Sequence, residues 1–243
     1  MRKDIIRLAG RHPRYGYRRI AAMLQSEGWR VNSKRVQRIW RELGLRVPKK
    51  QKKRRRIHLG DGSCISLKPL FQNHIWSYDF VEDRLTCGRK YRCLTIIDEF
   101  TKECLKIKVK RSIKSKDVIE VLAQLFLERG IPDFIRSDNG PEFIANDVKK
   151  FIKDVGAKTM YINPGCPWEN PFIERFNGTL KDELLNREIF HTLKEAEAMI
   201  ENFRIEYNSV RPHSALNYMT PNAFILFALT QNPSNQVVQN LGA

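Results

Sequence analysis

Only five of the 243 residues are cysteines, and no two of them form a CxxC pair. An odd, scattered set (Cys64, Cys87, Cys93, Cys104, Cys166) argues against a disulfide framework or a structural zinc site and fits a reducing cytoplasm. No apolar run approaches the roughly 18 to 20 residues that a membrane span needs, and the opening MRKDIIRLAG lacks the apolar core of a secretory signal. His12, His58, His74 and His191 show no metal-ligand spacing, there is no internal repeat, and no heptad pattern persists over several turns. With 42% hydrophobic and 29% charged residues the chain is nevertheless a normal globular one, long enough for one large or two small domains.

Acid is the other scarcity, and it is local. Residues 1–57 hold only Asp4, Glu27 and Glu42 against 20 of the 44 Lys and Arg residues, while the remaining 24 bases are matched by 24 acids. The whole net charge of +17 therefore sits in the first quarter of the chain. A positive module beside a neutral body indicates a polyanion-binding head, although charge alone does not separate nucleic acid from an acidic membrane surface.

The head reads as helices. In GYRRIAAMLQSE (16–27) Tyr17, Ile20 and Leu24 form a stripe, and Gly28 interrupts it. Asn32 or Ser33 can cap a second helix in which Val36, Ile39, Trp40 and Leu43 share one face, with Lys34, Arg35, Arg38 and Arg41 on the other. Gly44 ends it, and residues 2–9 suit a supporting helix. Two short helices around a glycine turn, the second basic on its outer face, predict a helix-turn-helix; the plainer alternative is a solvated basic helix pair. The basic run RVPKKQKKRRR (46–56), with Lys52 and Arg54, suits a linker that can track a DNA backbone.

From Trp76 the pattern turns to β. Strands are expected at 75–81, 91–100 and 104–110, a helix at 115–129, a strand at 134–137, a helix at 142–155 and a strand at 158–162. Asn170-Pro171 starts a helix to about Leu185, and a last helix is expected at about 193–207. The order βββαβαβα predicts an α/β sandwich on a mixed five-stranded sheet.

Three acids stand out by place. Asp79 is mid-strand in WSYDF, Asp138 ends a strand, and Glu174 lies in the first turn of a helix, with 35 residues between it and Asp138. Taken singly, a strand aspartate is an edge or turn residue and a first-turn glutamate favours the helix dipole. Taken together, the three can converge at a sheet edge, where their mutual repulsion calls for a divalent cation. Mg²⁺ suits hard oxygen ligands, and two ions about 4 Å apart would support in-line phosphoryl transfer.

The words WSYDFV, IIDEFTKECL, SDNGPEF and NPFIERFNGTLKDELLN resemble the catalytic domain of DDE transposases of the IS-three insertion-sequence family, second-frame protein (OrfB). HPRYGYRRIAAMLQSEGWRVNSKRVQRIWRELGL resembles that family's helix-turn-helix, and YNSVRPHSALNYMTP its tail. The resemblance spans residues 8–224. It implies a ribonuclease-H-like fold after a small all-α domain, divided as 1–45 helix-turn-helix, 46–70 basic linker, 71–228 catalytic domain and 229–243 mobile tail. It implies a transposase that nicks element ends and joins the 3′ hydroxyl to target DNA, with Asp79, Asp138 and Glu174 holding two Mg²⁺, replaceable by Mn²⁺. Lys181, seven residues after Glu174, would contact end DNA. Asn170 and Asn177, at −4 and +3 from Glu174, would touch DNA or hold the carboxylate. Asp98 matches a family aspartate but sits at a strand end, less suited to metal. Arg211 and His213 belong to the tail motif, with capping or packing of the last helix set against DNA contact.

The implied partners are double-stranded DNA, further copies of the chain assembled on it, and an upstream-frame protein supplying a dimeriser; the implied location is the bacterial cytoplasm, at the nucleoid. A non-catalytic DNA-binding regulator that competes for element ends is the rival reading. A plain ribonuclease-H-type nuclease is a third, disfavoured by the basic head.

Overall fold

The computed structural model describes residues 1–48, 67–137, 146–161 and 170–231. The chain forms two compact units, Met1–Ile65 with Val210–Thr220, and Ser66–Ser209 with Pro221–Ala243.

In the first unit α1 (Arg2–Arg11), α2 (Tyr17–Ser26) and α3 (Ser33–Glu42) close on a core of Ile5, Leu8, Ile20, Leu24, Val36, Ile39 and Trp40. Asn32 is the cap of α3: its side chain accepts the Arg35 N–H at 2.8 Å. Gly28 turns the chain out of α2 at φ +90, a conformation that a side chain would strain. The returning segment 210–220 packs within this unit. The Arg211 guanidinium lies 5.9 Å from the Tyr15 ring centroid, and Arg18 hydrogen-bonds Tyr218. Arg211 and His213 are both buried, and the His213 carbonyl accepts the N–H groups of Leu216 and Tyr218. Both residues belong to the helical unit.

The second unit is built on β1 (Ile75–Arg84), β2 (Lys90–Asp98), β3 (Cys104–Lys110), α4 (Ser115–Arg129), β4 (Phe134–Ser137), α5 (Asn146–Asp154) and β5 (Lys158–Tyr161). Then come α6 (Pro171–Leu180), which widens into a π-helical turn (Lys181–Leu185), α7 (Leu193–Ser209) and α8 (Pro221–Gln231). The strand order is β3-β2-β1-β4-β5. β1, β2 and β3 pair antiparallel, and β4 and β5 run parallel to β1. This is the expected mixed five-stranded sheet with flanking helices.

Strand alternation sends Trp76, Tyr78, Leu94, Ile96 and Ile135 to the face covered by α4 and α5, while Val81, Cys93, Ile97 and Ile107 meet α6 and α7. β1 runs three residues beyond the expected 81, because its polar end still pairs: the Tyr91 hydroxyl donates to Asp83 at 2.8 Å. The helix expected from 142 is described from Asn146. α8 has no counterpart among the expected elements. Its eleven residues carry no charge, so no polar face marks it as amphipathic.

Candidate active site and nucleic-acid face

Asp79 lies at the middle of β1, opposite Thr95 in the β1–β2 ladder, and is partly exposed. Its Oδ2 accepts from Asn177 Nδ2 at 2.8 Å and its Oδ1 from the Phe80 N–H at 2.7 Å. The Thr95 hydroxyl stands 2.9 Å from Asn177 Oδ1 and 3.0 Å from the Asp79 carbonyl oxygen. With Thr95 donating to its oxygen, the Asn177 amide can only turn its NH₂ toward the carboxylate, so the orientation is fixed by its partners. Asn177 is buried on α6, and Glu174, one turn earlier at i−3, is exposed. The spacing places both on one stretch of helix surface. The Asn177–Asp79 bond thus ties the Glu174-bearing helix to the Asp79-bearing strand.

The third acid is approached from β4. Ser77 of β1 pairs with Arg136, so Ser137, the last residue of β4, advances toward the level of Asp79. Asp138 follows it in sequence and lies outside the described residues, as do Lys52 and Arg54. Among the described residues no three His, Cys, Asp or Glu side chains gather in a metal-binding group; one of the three expected acids is not among them.

Of the two roles that spacing allows Asn177, the contact with the carboxylate is present in the bond to Asp79. Asn170 precedes α6 at the cap position but makes no side-chain cap bond. It is buried, and its Oδ1 has no hydrogen-bond partner among the described residues. Lys181 is exposed where α6 passes into the π-helical turn. Asp98 serves the chain itself: it accepts from the Thr101 N–H at 2.7 Å, the Thr101 hydroxyl at 3.0 Å and the Asn73 N–H at 2.6 Å. Burial pushes its carboxyl above the usual range, opposed by these donors.

Two features escape sequence reasoning. Thr95 reads as an ordinary β-branched strand residue, and its role depends on which residue faces it across the ladder. Arg136 and Glu99, 37 positions apart, form an ion pair at 2.8 Å with both side chains buried.

On α3, burial of Val36, Ile39 and Trp40 turns Lys34, Arg35, Arg38 and Arg41 outward, all four exposed. Glu42, the one acid of the helix, is met by Arg2 at 2.5 Å and more distantly by Arg38 at 3.8 Å. The outer face therefore keeps a strong positive field.

The family model described as an integrase core domain matches residues 71–167, a second of the same description matches 155–221, and an HTH-like domain matches 1–54. A 31.7 kDa protein of insertion element IS407 from Burkholderia multivorans is 40% identical over 220 residues, covering 90% of this chain and 78% of its own. A 39.2 kDa protein of insertion element IS476 from Xanthomonas euvesicatoria is 37% identical, covering 98% and 68%. The transposase for insertion sequence element IS904 of Lactococcus lactis is 28% identical, covering 87% of each chain. Among solved structures, the HTLV-2 integrase catalytic core domain in complex with magnesium aligns with a TM-score of 0.52 at 22% identity, over 65% of this chain and 99% of that one. The BIV integrase catalytic core aligns at 0.50 and 21%, over 66% and 98%. These structural likenesses establish a shared fold. Among the described residues no helix is long and apolar enough to cross a membrane.

Proposed function

The chain belongs to the integrase-core transposases of the IS-three insertion-sequence family, in the second-frame (OrfB) form, and from that premise we propose that this DNA transposase nicks the ends of its element and transfers the 3′ hydroxyls to target DNA. The observation that carries this reading is the Asn177–Asp79 bond, which brings the helix of Glu174 to the strand of Asp79.

We assign Asp79, Asp138 and Glu174 as the catalytic and metal-holding residues. The donor set fits a hard cation. It is all carboxylate oxygen, Asp79 accepts from two neutral N–H donors that orient it, and Glu174 is exposed. The HTLV-2 catalytic core, of the same fold, was solved in complex with magnesium, which supports divalent metal here. Two bound Mg²⁺ ions, replaceable by Mn²⁺, would activate the attacking oxygen and stabilise the leaving 3′ oxygen of the phosphodiester.

The chain's own contribution is to hold the carboxylates and place the DNA. Lys34, Arg35, Arg38 and Arg41, with Lys52 and Arg54 of the basic run, grip phosphates and element-end bases; Lys181 and Asn170 act nearer the cut. In this reading residues 1–45 bind DNA, 46–70 link, 71–228 catalyse, and 229–243 form a tail. Paired ends require assembly of several copies on DNA, with an upstream-frame protein as a further partner.

The test is Mg²⁺-dependent nicking of a duplex that contains an element end. Nicking at the end supports the reading. Binding without nicking, under conditions where a relative of the family cuts its own end, favours the non-catalytic regulator. Arg38→Ala is expected to weaken end binding and lower the slope of log affinity against log salt by about one, as for the loss of one phosphate contact. A base-reading role would leave that slope alone and relax sequence preference instead. Filter binding across a salt series decides.

A further inference from the structure

The three acid-bearing elements share a second connection, at a buried glutamate. Glu99, the residue after β2, has no exposed surface. Its Oε1 accepts from the Ser77 hydroxyl and from Arg136 Nη1 at 2.8 Å, and its Oε2 from the same nitrogen at 2.9 Å. Its backbone carbonyl accepts from Lys102 Nζ, and that ammonium lies 3.5 Å from the Phe172 ring centroid. Ser77 stands two residues before Asp79 on β1, Arg136 two before Asp138 at the end of β4, and Phe172 two before Glu174 on α6. Two residues along a strand return to the same face, so Ser77 and Asp79 share the side of the sheet that α6 covers.

The arrangement is costly. Taking an ion pair out of water forfeits hydration that its mutual attraction repays only in good geometry, and an apolar pair of similar volume is often as stable or more so. Burial pushes the Glu99 carboxyl up, with Arg136 opposing. Lys102 adopts φ +61, a left-handed conformation that a side chain resists, and burial pushes its ammonium down to about 8. Arg136 is satisfied on its other side as well, Nη2 donating to the Leu67 carbonyl at 2.9 Å. Such a cluster has little to offer stability and much to offer registration, since Ser77 and Arg136 fix β1 and β4 against one carboxylate, and Lys102, held at the carbonyl of the same residue, reaches α6 through Phe172.

We propose that Glu99 is a positioning residue which, through Ser77, Arg136 and Lys102, sets β1, β4 and α6 so that Asp79, Asp138 and Glu174 meet. This rests on the three-carboxylate reading above and adds to it the group that aligns those carboxylates from beneath.

The test uses the full chain with Glu99→Met and Arg136→Met combined, which removes both buried charges together. The double variant is expected to keep its Tm and its affinity for end DNA, and to bind Mn²⁺ between about 10- and 100-fold more weakly by titration calorimetry, as when a group that orients metal ligands is lost. Nicking would require correspondingly more Mg²⁺. Lys102→Met, which cuts only the link to α6, gives a smaller loss and carries the test alone if the double variant does not fold. Mn²⁺ affinity equal to wild type in a folded variant overturns the proposal. Asp79→Asn separates the two ideas: if it removes Mn²⁺ binding while the Glu99 and Lys102 variants bind normally, only the positioning role fails. If Asp79→Asn binds Mn²⁺ as wild type does, the carboxylate reading fails and this proposal with it.

Discussion

Replacing Asp79 by asparagine is expected to slow nicking of an element-end duplex by on the order of 10³-fold, from several kcal/mol of lost charge stabilisation at about 1.4 kcal/mol per decade. Affinity for the end is expected to stay at the wild-type value. The substitution is nearly isosteric, and the new carbonyl oxygen can still accept the Asn177 N–H that Oδ2 accepts now at 2.8 Å. The helical unit, with its exposed Lys34, Arg35, Arg38 and Arg41, is untouched. Asp138→Asn is expected to lose as much, because either residue removes one wall of the same carboxylate set. Single-turnover nicking with a labelled duplex, beside filter binding of the same duplex, measures both quantities. Variants that nick at the wild-type rate would mean that the cutting arises elsewhere or that the chain is a DNA-binding regulator.

Asn177→Leu is the second large effect, and it strikes both stability and rate. The change removes a buried hydrogen bond to a charged group, worth about 1.5–3 kcal/mol, so Tm should fall by roughly 3–12 °C for a chain of this size. The Thr95 hydroxyl keeps an acceptor in the Asp79 carbonyl, 3.0 Å away, which limits the damage to one bond. With Asp79 no longer tied to α6, a shift of about 1 Å between it and Glu174 suffices for a loss on the order of 10²-fold in nicking. A DNA-contacting Asn177 would behave differently, weakening end affinity while leaving Tm alone. Thermal denaturation together with filter binding separates the two roles.

What the sequence discloses here follows from where its signals are local. The helix at Ser115–Arg129 and the strands at Cys104–Lys110 and Phe134–Ser137 fall where spacing and glycine or proline punctuation place them. The cap of α3 needs only a short polar residue before an apolar stripe, and Asn32 provides it. Long-range pairings are a different matter. Glu99 and Arg136 look like solvated charges at strand ends until the parallel pairing of β1 with β4 sets Arg136 beside Ser77. Thr95 gains its role from the residue that faces it across an antiparallel ladder. Asn177 is legible halfway: its +3 spacing from Glu174 puts it on the right face, but only the packing of α6 on β1 brings it to the Asp79 carboxylate. The tail motif shows the same limit, since nothing along the chain predicts that Arg211 reaches the ring of Tyr15. α8 is hidden for another reason, because an uncharged apolar segment gives no periodicity to read.

The central claim is that Asp79, Asp138 and Glu174 converge as one cradle for divalent metal. Crystals of the full chain on an element-end duplex, soaked in Mn²⁺ and measured for anomalous scattering, test it most directly. The account predicts Mn²⁺ peaks, two when both sites fill, that between them are bonded to an oxygen of each of the three side chains. Full Mn²⁺ occupancy with one of the three carboxylates bonded to no ion and turned away would contradict it.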